Sequence, residues 1–231
     1  MKKLLMLILV SAFAANAEYQ QIYSLGFETS ENYSVGSLDG QNGWSKSSDK
    51  TAVQVADYGY DSEQSAYLSG ANVAEQLDIS LSNPKNEAMW FRCMTKPSPA
   101  GQNVAITLST EGNRIIKLNL TRSVFTIDTK GYAQMGVTLG DEWYEWGVIF
   151  EPKTKTISKV YVGDFEMVPS GDTAKYSSDS AGIPSRIRIE TEWNASDADA
   201  YIDDITFAVA PEPACLGLLA LAGLFFLRKR S

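Results

Sequence analysis

An all-β fold, a two-sheet antiparallel β-sandwich, is what the middle of this 231-residue sequence predicts. Three observations carry that expectation. Apolar residues recur there with a period of two rather than 3.6; about a dozen such runs follow one another; and turn-forming residues separate them at close spacing.

The elements run as follows. Lys2 and Lys3 precede the apolar run Leu4 to Val10, and Ala15-Asn16-Ala17 gives the small-x-small pattern of a secretory cleavage site, so residues 1–17 read as a signal peptide and signal helix. The alternative, a buried helix of a cytosolic domain, fits neither the position at the very start nor the missing amphipathic period. Strands are then expected at Ile22–Glu28, Thr51–Val55, Ala66–Leu68, Gln76–Leu81, Ala88–Met94, Val104–Ser109, Arg114–Leu120, Val124–Asp128, Trp143–Phe150, Thr156–Val162, Arg186–Glu192 and Tyr201–Val209. Val104, Ile106 and Leu108 alternate with Ala105, Thr107 and Ser109, and Ile187 and Ile189 with Arg186, Arg188 and Glu190, so each run buries one face. Glu111-Gly112-Asn113, Pro152 to Lys155 and Pro169 to Asp172 are the turns between them. Two packed sheets close such a set; a barrel is the other closure, but the repeated corner glycines it would want are missing. With no linker or repeat interrupting it, 18–210 reads as one domain.

Residues 211–231 are different in kind. Ala214 to Leu227 is an unbroken apolar stretch whose length as a helix, roughly 21 Å, makes it a short transmembrane helix that barely spans a bilayer. Arg228, Lys229 and Arg230 would stay among cytoplasmic headgroups and leave the rest of the protein on the far side. Pro211-Glu212-Pro213, the apolar helix and the basic cluster together resemble the PEP-CTERM sorting signal of bacterial exported proteins. That resemblance implies recognition by an exosortase-type enzyme in the inner membrane, transient anchoring by the tail, and delivery to the cell surface or exopolysaccharide matrix. An ordinary membrane anchor is the competing reading.

Composition narrows the chemistry. Without Lys2, Lys3, Arg228, Lys229, Arg230 and Glu212, 15 basic residues face 27 acidic ones, a net charge of −12 that disfavours nucleic acid as a partner. Histidine is absent, which removes the usual general base, the usual zinc ligand and every Ser-His-Asp or Cys-His arrangement. There is no Gly-rich phosphate loop. Cys93 is the single cysteine of 18–210, so an exported domain must rely on its core rather than on an internal disulfide.

Gly26-Phe27-Glu28, then Gly36 to Trp44, the paired stretches Trp143 to Phe150 and Val160 to Asp164, and the closing Tyr201 to Phe207 resemble exported domains of the concanavalin A-like, laminin G-like jelly-roll class. That class includes sugar binders, glycan hydrolases and purely structural domains, so the resemblance implies a fold more than an activity.

Tryptophans are the natural sugar platforms, because a pyranose face stacks on a flat ring. Trp44 follows a polar loop in which Asp39, Gln41 and Asn42 could take hydroxyls, although Gly40 and Gly43 could equally shape a turn that plugs Trp44 into the sandwich end. Trp193, beside Glu192 and Asn194, is a similar candidate; Trp90 and Trp143 qualify chemically. Trp146 shares an apolar face with Tyr144, Val148 and Phe150 and reads as core. Glu190 and Glu192 fall on one face, as a glycosidase pair can, but the class's hydrolases resemble a Glu-x-Asp-x-x-Glu pattern whose third acid is missing here, and Arg186 and Arg188 make a charge ladder the simpler account. Glu28, Asp203 and Asp204 are candidate ligands of a structural Ca²⁺ if the first and last strands lie together. The leading functional expectation is a non-catalytic surface or matrix protein with a structural or adhesive role; the alternatives are a carbohydrate-binding module and, behind it, a glycoside hydrolase.

Overall fold

The computed structural model describes residues 20–46, 50–70, 73–83, 86–97, 104–110, 112–191 and 199–209. The expected signal peptide, the Pro211–Pro213 motif, the apolar tail with Arg228, Lys229 and Arg230, and Trp193 lie outside these residues. Among the described residues no helix is long and apolar enough to cross a membrane.

In chain order the strands are β1 Gln20–Leu25, β2 Gly36–Ser37, β3 Ser45–Lys46, β4 Gln54–Ala56, β5 Ser65–Ser69, β6 Ala74–Asp78, β7 Met89–Lys96, β8 Val104–Thr110, β9 Asn113–Leu120, β10 Val124–Asp128, β11 Tyr132–Gly136, β12 Tyr144–Glu151, β13 Thr156–Val162, β14 Phe165–Met167, β15 Arg186–Thr191 and β16 Asp199–Val209. Two 3-10 turns, Thr29–Glu31 and Gly171–Ala174, are the helical elements among the described residues. One sheet runs β14-β13-β12-β7-β16-β5-β4-β2, with β1 also on β16; the other runs β11-β10-β9-β8-β15-β6-β3. All pairings of these strands are antiparallel. The described residues are therefore all-β, as the period-two pattern predicts.

Alternation does the folding. In β7 the residues Met89, Phe91, Cys93 and Thr95 are buried while Trp90, Arg92, Met94 and Lys96 between them are partly exposed. In β15 Ile187 and Ile189 are fully buried between Arg186, Arg188 and Glu190. The inner faces meet in one aromatic and aliphatic core: Phe91 lies 5.1 Å from Phe207 within one sheet, and Phe125 of β10 lies 6.0 Å from Trp146 of β12 across the gap between sheets. Trp146 is core, as its apolar strand face predicts.

Each expected strand has a counterpart within a few residues. The four without a forecast, β2, β3, β11 and β14, are short or lack an apolar stripe; β11, for instance, is mostly exposed. Such edge strands are held by pairing to a neighbour, not by burial of their own side chains.

β16 organises the nine-stranded sheet. It is eleven residues long, and β5 pairs its first part while β1 pairs its second. Between these halves the pairing with β7 slips from Asp203 opposite Met94 to Thr206 opposite Arg92, and Asp204 takes a left-handed φ of 48°. This is a β-bulge, the device that re-aims side chains in the middle of a strand.

Candidate functional site

The loop from Asp39 to Trp44 is spent on its own architecture. Trp44 is 1% exposed, packed 5.9 Å from Phe27, and donates its indole N–H to Tyr33 Oη at 3.0 Å. Gln41 Oε1 accepts the Ser34 N–H at 2.8 Å, and its amide nitrogen donates to the Ser34 and Ser37 carbonyls at 2.9 and 2.6 Å. Asn42 donates to the Glu31 carbonyl at 3.0 Å, and Asp39 accepts the Lys46 N–H at 3.2 Å. The expectation of a sugar platform at Trp44 is therefore corrected: the ring plugs the end of the sandwich, and the amides that would have met hydroxyls close the turn instead.

Two of the three candidate calcium ligands, Asp203 and Glu28, are already engaged in hydrogen bonds. Asp203 is fully buried, with Oδ2 accepting the Tyr60 N–H at 2.9 Å and the Ser62 hydroxyl at 2.8 Å, and Oδ1 accepting the Asp204 N–H at 2.9 Å. Glu28 accepts backbone N–H groups of Glu63 and Gln64 at 3.4 and 3.3 Å. These oxygens already hold a loop in place, and among the described residues no three acids converge on a point where an ion could sit. Glu190 is bound by Lys117 and Arg188, both at 2.8 Å, while Glu192 lies outside the described residues.

Other candidate features lie on the outer face of the nine-stranded sheet. Strand alternation that buries Phe91, Cys93, Trp146 and Val148 turns Trp90, Arg92, Met94 and Lys96 of β7 outward, beside Glu145, Gly147 and Ile149 of β12. From β13 come Lys159 and Tyr161, and from β16 Tyr201, Asp203 and Thr206.

At one end of β7 aromatic rings gather outside the core. Tyr58 stacks on Trp143 at 5.9 Å and meets Tyr201 edge-on at 5.0 Å; Tyr201 stacks on Tyr67 at 5.0 Å; Tyr60 lies 6.0 Å from Trp143. Tyr58 is 42% exposed. Lys96 donates to the Tyr58 hydroxyl at 3.0 Å, sits over its ring, and pairs with Asp141 at 3.5 Å; that contact pulls the Tyr58 phenol below its ordinary pKa. Tyr67 Oη donates to Asp199. Flat rings with hydroxyl, ammonium and carboxylate groups at their margins form a surface on which an apolar face can stack while polar groups are satisfied at its edge.

At the other end of β7, Trp90 and Tyr161 face each other across β12. Trp90 donates to Tyr161 Oη at 2.7 Å, Tyr161 donates to Glu145 Oε1 at 2.7 Å, and Arg92 pairs with Glu145 Oε2 at 3.3 Å and lies over the Trp90 ring. Burial and this carboxylate push the Tyr161 phenol well above its ordinary pKa, so it stays a donor at any ordinary pH. Gly147 makes the arrangement sterically feasible. A Cβ there would lie 2.6 Å from Tyr161 Oη and 2.7 Å from the Phe91 carbonyl oxygen, so a bare backbone is needed for Tyr161 to lie across the strand.

Two depressions mark this face. One, of about 350 Å³, is walled by Trp90, Glu145, Lys159, Tyr161 and Glu166; the other, of about 300 Å³, by Tyr60, Arg92, Glu145, Asp204 and Thr206. Asp203 underpins the second. Burial raises its carboxyl to about 7, against the pull of three hydrogen bonds, and those bonds pin residues 59–62 at the sheet face. Gly59 lets the loop come that close, since a Cβ would fall 2.1 Å from Ser62 Oγ and 2.5 Å from the Gln64 carbonyl oxygen.

Among the sequence candidates, the structure places Trp90 and Trp143 on this face and removes Trp44 and Trp146 from consideration. Sequence reasoning missed Tyr58, Tyr60, Tyr67 and Tyr201. The signal that could have found two of them is the run Asp57-Tyr58-Gly59-Tyr60-Asp61, aromatic residues set in turn chemistry between acids.

No protein-family model matches the chain, and no curated protein matches it. Solved structures do share its fold. The binding domain of botulinum neurotoxin serotype D superposes with a TM-score of 0.54 at 12% identity, covering 88% of this chain and 51% of that one. A botulinum neurotoxin type C structure, from the toxin whose cell entry depends on two ganglioside molecules, gives 0.53 at 11% identity with 88% and 51% covered. Trypanosoma rangeli sialidase gives 0.54 at 12% identity, covering 88% of this chain and 33% of the enzyme. The chain thus spans about half the length of the toxin binding domains and a third of the sialidase. At such identities the likeness is one of fold, and both binding domains and an enzyme use it.

Proposed function

We propose that this chain is an exported, non-catalytic glycan-binding protein built on a concanavalin A-like jelly roll, with the outer face of the nine-stranded sheet as its binding surface. One observation carries the reading: a cluster of five aromatic rings, Tyr58, Tyr60, Tyr67, Trp143 and Tyr201, held outside the core and edged by Lys96 and Asp199. Leaving that much aromatic surface at the solvent boundary forgoes burial free energy of about 25 cal/mol per Å². A ligand with one apolar face and hydroxyls at its rim recovers that free energy, and a sugar ring is such a ligand.

The carboxylates nearby support binding rather than hydrolysis. Glu145 is held by Tyr161 and Arg92, and Asp203, the acid raised to about 7, is sealed beneath residues 59–62 where no substrate oxygen reaches it. The adhesive or matrix role, the exosortase-type sorting and the delivery to exopolysaccharide belong to the same proposal. They rest on the terminal residues of the sequence, and following the C-terminus by mass spectrometry in the native host tests them.

Glycan-array binding tests the central reading. The full chain is expected to bind polysaccharide, and Trp143→Ala to lose that binding with its thermal unfolding little changed. A silent array, or a Trp143→Ala protein that binds like the parent, refutes it.

A further inference from the structure

The proposed binding face carries a second, separate aromatic site, and the two stand in a fixed relation. Tyr201 and Lys96 are register partners at one end of β7, where Tyr58, Tyr60 and Trp143 gather. Trp90, with Tyr161 beside it, stands at the other end. From Trp90 to Lys96 is six residues of extended chain, which at the strand rise is roughly 20 Å, the length of several pyranose rings and far more than one.

Two depressions occupy the ground between them. Glu145 walls both depressions, Arg92 and Asp204 line the second, and Tyr60 connects that second depression to the Trp143 ring.

From this juxtaposition we infer that the ligand is an internal stretch of a linear, uncharged polysaccharide lying along β7, with one sugar stacked at Trp90–Tyr161, another on the Trp143–Tyr58–Tyr201 cluster, and the sugars between hydrogen-bonded to Arg92, Glu145 and Asp204. The inference rests on the glycan-binding reading and deepens it. Acids outnumber bases in the two depressions: Glu145 and Asp204 lie beside Arg92, and Glu166 and Asp164 beside Lys159. A chain of uronic acids would place like charges against each other there, whereas neutral hydroxyls find both donors and acceptors.

Isothermal titration of the full chain with linear cello- and manno-oligosaccharides of increasing length, and with oligoalginate as the anionic arm, decides the matter. Affinity for a neutral series is expected to rise at least tenfold between disaccharide and hexasaccharide, and oligoalginate to bind more weakly than any neutral chain of the same length. Trp90→Ala is expected to abolish the gain with length. Tyr161→Phe, which keeps the ring and drops the link to Glu145, guards against a Trp90 variant that fails to fold and is expected to weaken hexasaccharide binding severalfold. Neutral polysaccharide binding that does not depend on length and ignores Trp90 and Tyr161, or preferential binding of oligoalginate, overturns this inference alone. Absence of binding to any glycan overturns it together with the reading beneath it.

Discussion

Glu75 gives the sharpest quantitative test of the energetics. It lies on β6 between Lys46 of β3 and Ile189 of β15, is 0% exposed, and both carboxyl oxygens lack a hydrogen-bond partner. Burial is the main force raising its carboxyl from 4.5 to about 7; Asp39 adds to it, while the Val53 amide and Lys46 oppose it weakly. In the unfolded chain the same group ionises at its ordinary value. Between pH 4.5 and 7 the folded protein therefore holds a proton that the unfolded chain has released. The stabilisation is complete below pH 4.5 and is lost as pH rises through 7. At about 1.4 kcal/mol per pH unit, Glu75 alone costs the fold about 3 kcal/mol at pH 8 relative to pH 4.5. Buried Asp203, also raised to about 7, pulls in the same direction. Asp78 and Asp172, held low by Arg186 and Lys175, act only at more acid pH.

The perturbation is Glu75→Met, nearly equal in volume and free of charge, assayed by urea unfolding at pH 5 and pH 8. Stability of the parent should fall across that interval. The variant should be more stable than the parent by about 3 kcal/mol at pH 8 and closer to it at pH 5, with a flatter pH profile, which for a chain of this size is a rise in Tm of roughly 6–12 °C at pH 8. A variant that is destabilised at pH 8, or that keeps the parent's pH slope, refutes the claim that an unpartnered buried carboxylate limits stability here.

Other consequences are simpler to measure. Trp44→Ala should lose about 3–5 kcal/mol in denaturant unfolding, because a large ring leaves a filled site, and any loss of glycan binding should track unfolding rather than precede it. Gly147→Ala should cost about 1–3 kcal/mol and shift the Trp90 fluorescence environment, since the added methyl meets Tyr161 and the Phe91 carbonyl; an unchanged melting curve would contradict the close packing inferred there. Asp203→Asn leaves one accepting oxygen where the carboxylate offers two, so the amide can keep the Tyr60 N–H and Ser62 hydroxyl or the Asp204 N–H but not all three, residues 57–64 should become more susceptible to proteolysis, and glycan affinity should fall severalfold. Neither calcium nor EDTA should move the Tm; a calcium-dependent rise would restore the ion site that the Glu28 and Asp203 hydrogen bonds argue against.

The layered β architecture was legible in the sequence because a period of two is a local property: Val104 to Leu108 or Ile187 to Ile189 specify a buried face before any partner strand is known. The same logic identified Trp146 as core. What escaped was everything that depends on which strands meet. Trp44 has the composition of a binding loop, yet its fate was set by Phe27 and Tyr33, which pack on it from elsewhere in the chain. Asp203 and Glu28 looked like ion ligands, and no local pattern showed their hydrogen bonds to residues 60–64. The proposed binding face is assembled from Tyr58, Trp90, Trp143, Tyr161 and Tyr201, which come from separate parts of the chain and share a surface only because β7, β12, β13 and β16 pair in that register. Sequence alone determined which side of each strand faces water, since hydrophobic burial reads single residues. Tertiary structure decided which of those outward residues stand side by side, because pairing register is a long-range property that no local pattern encodes.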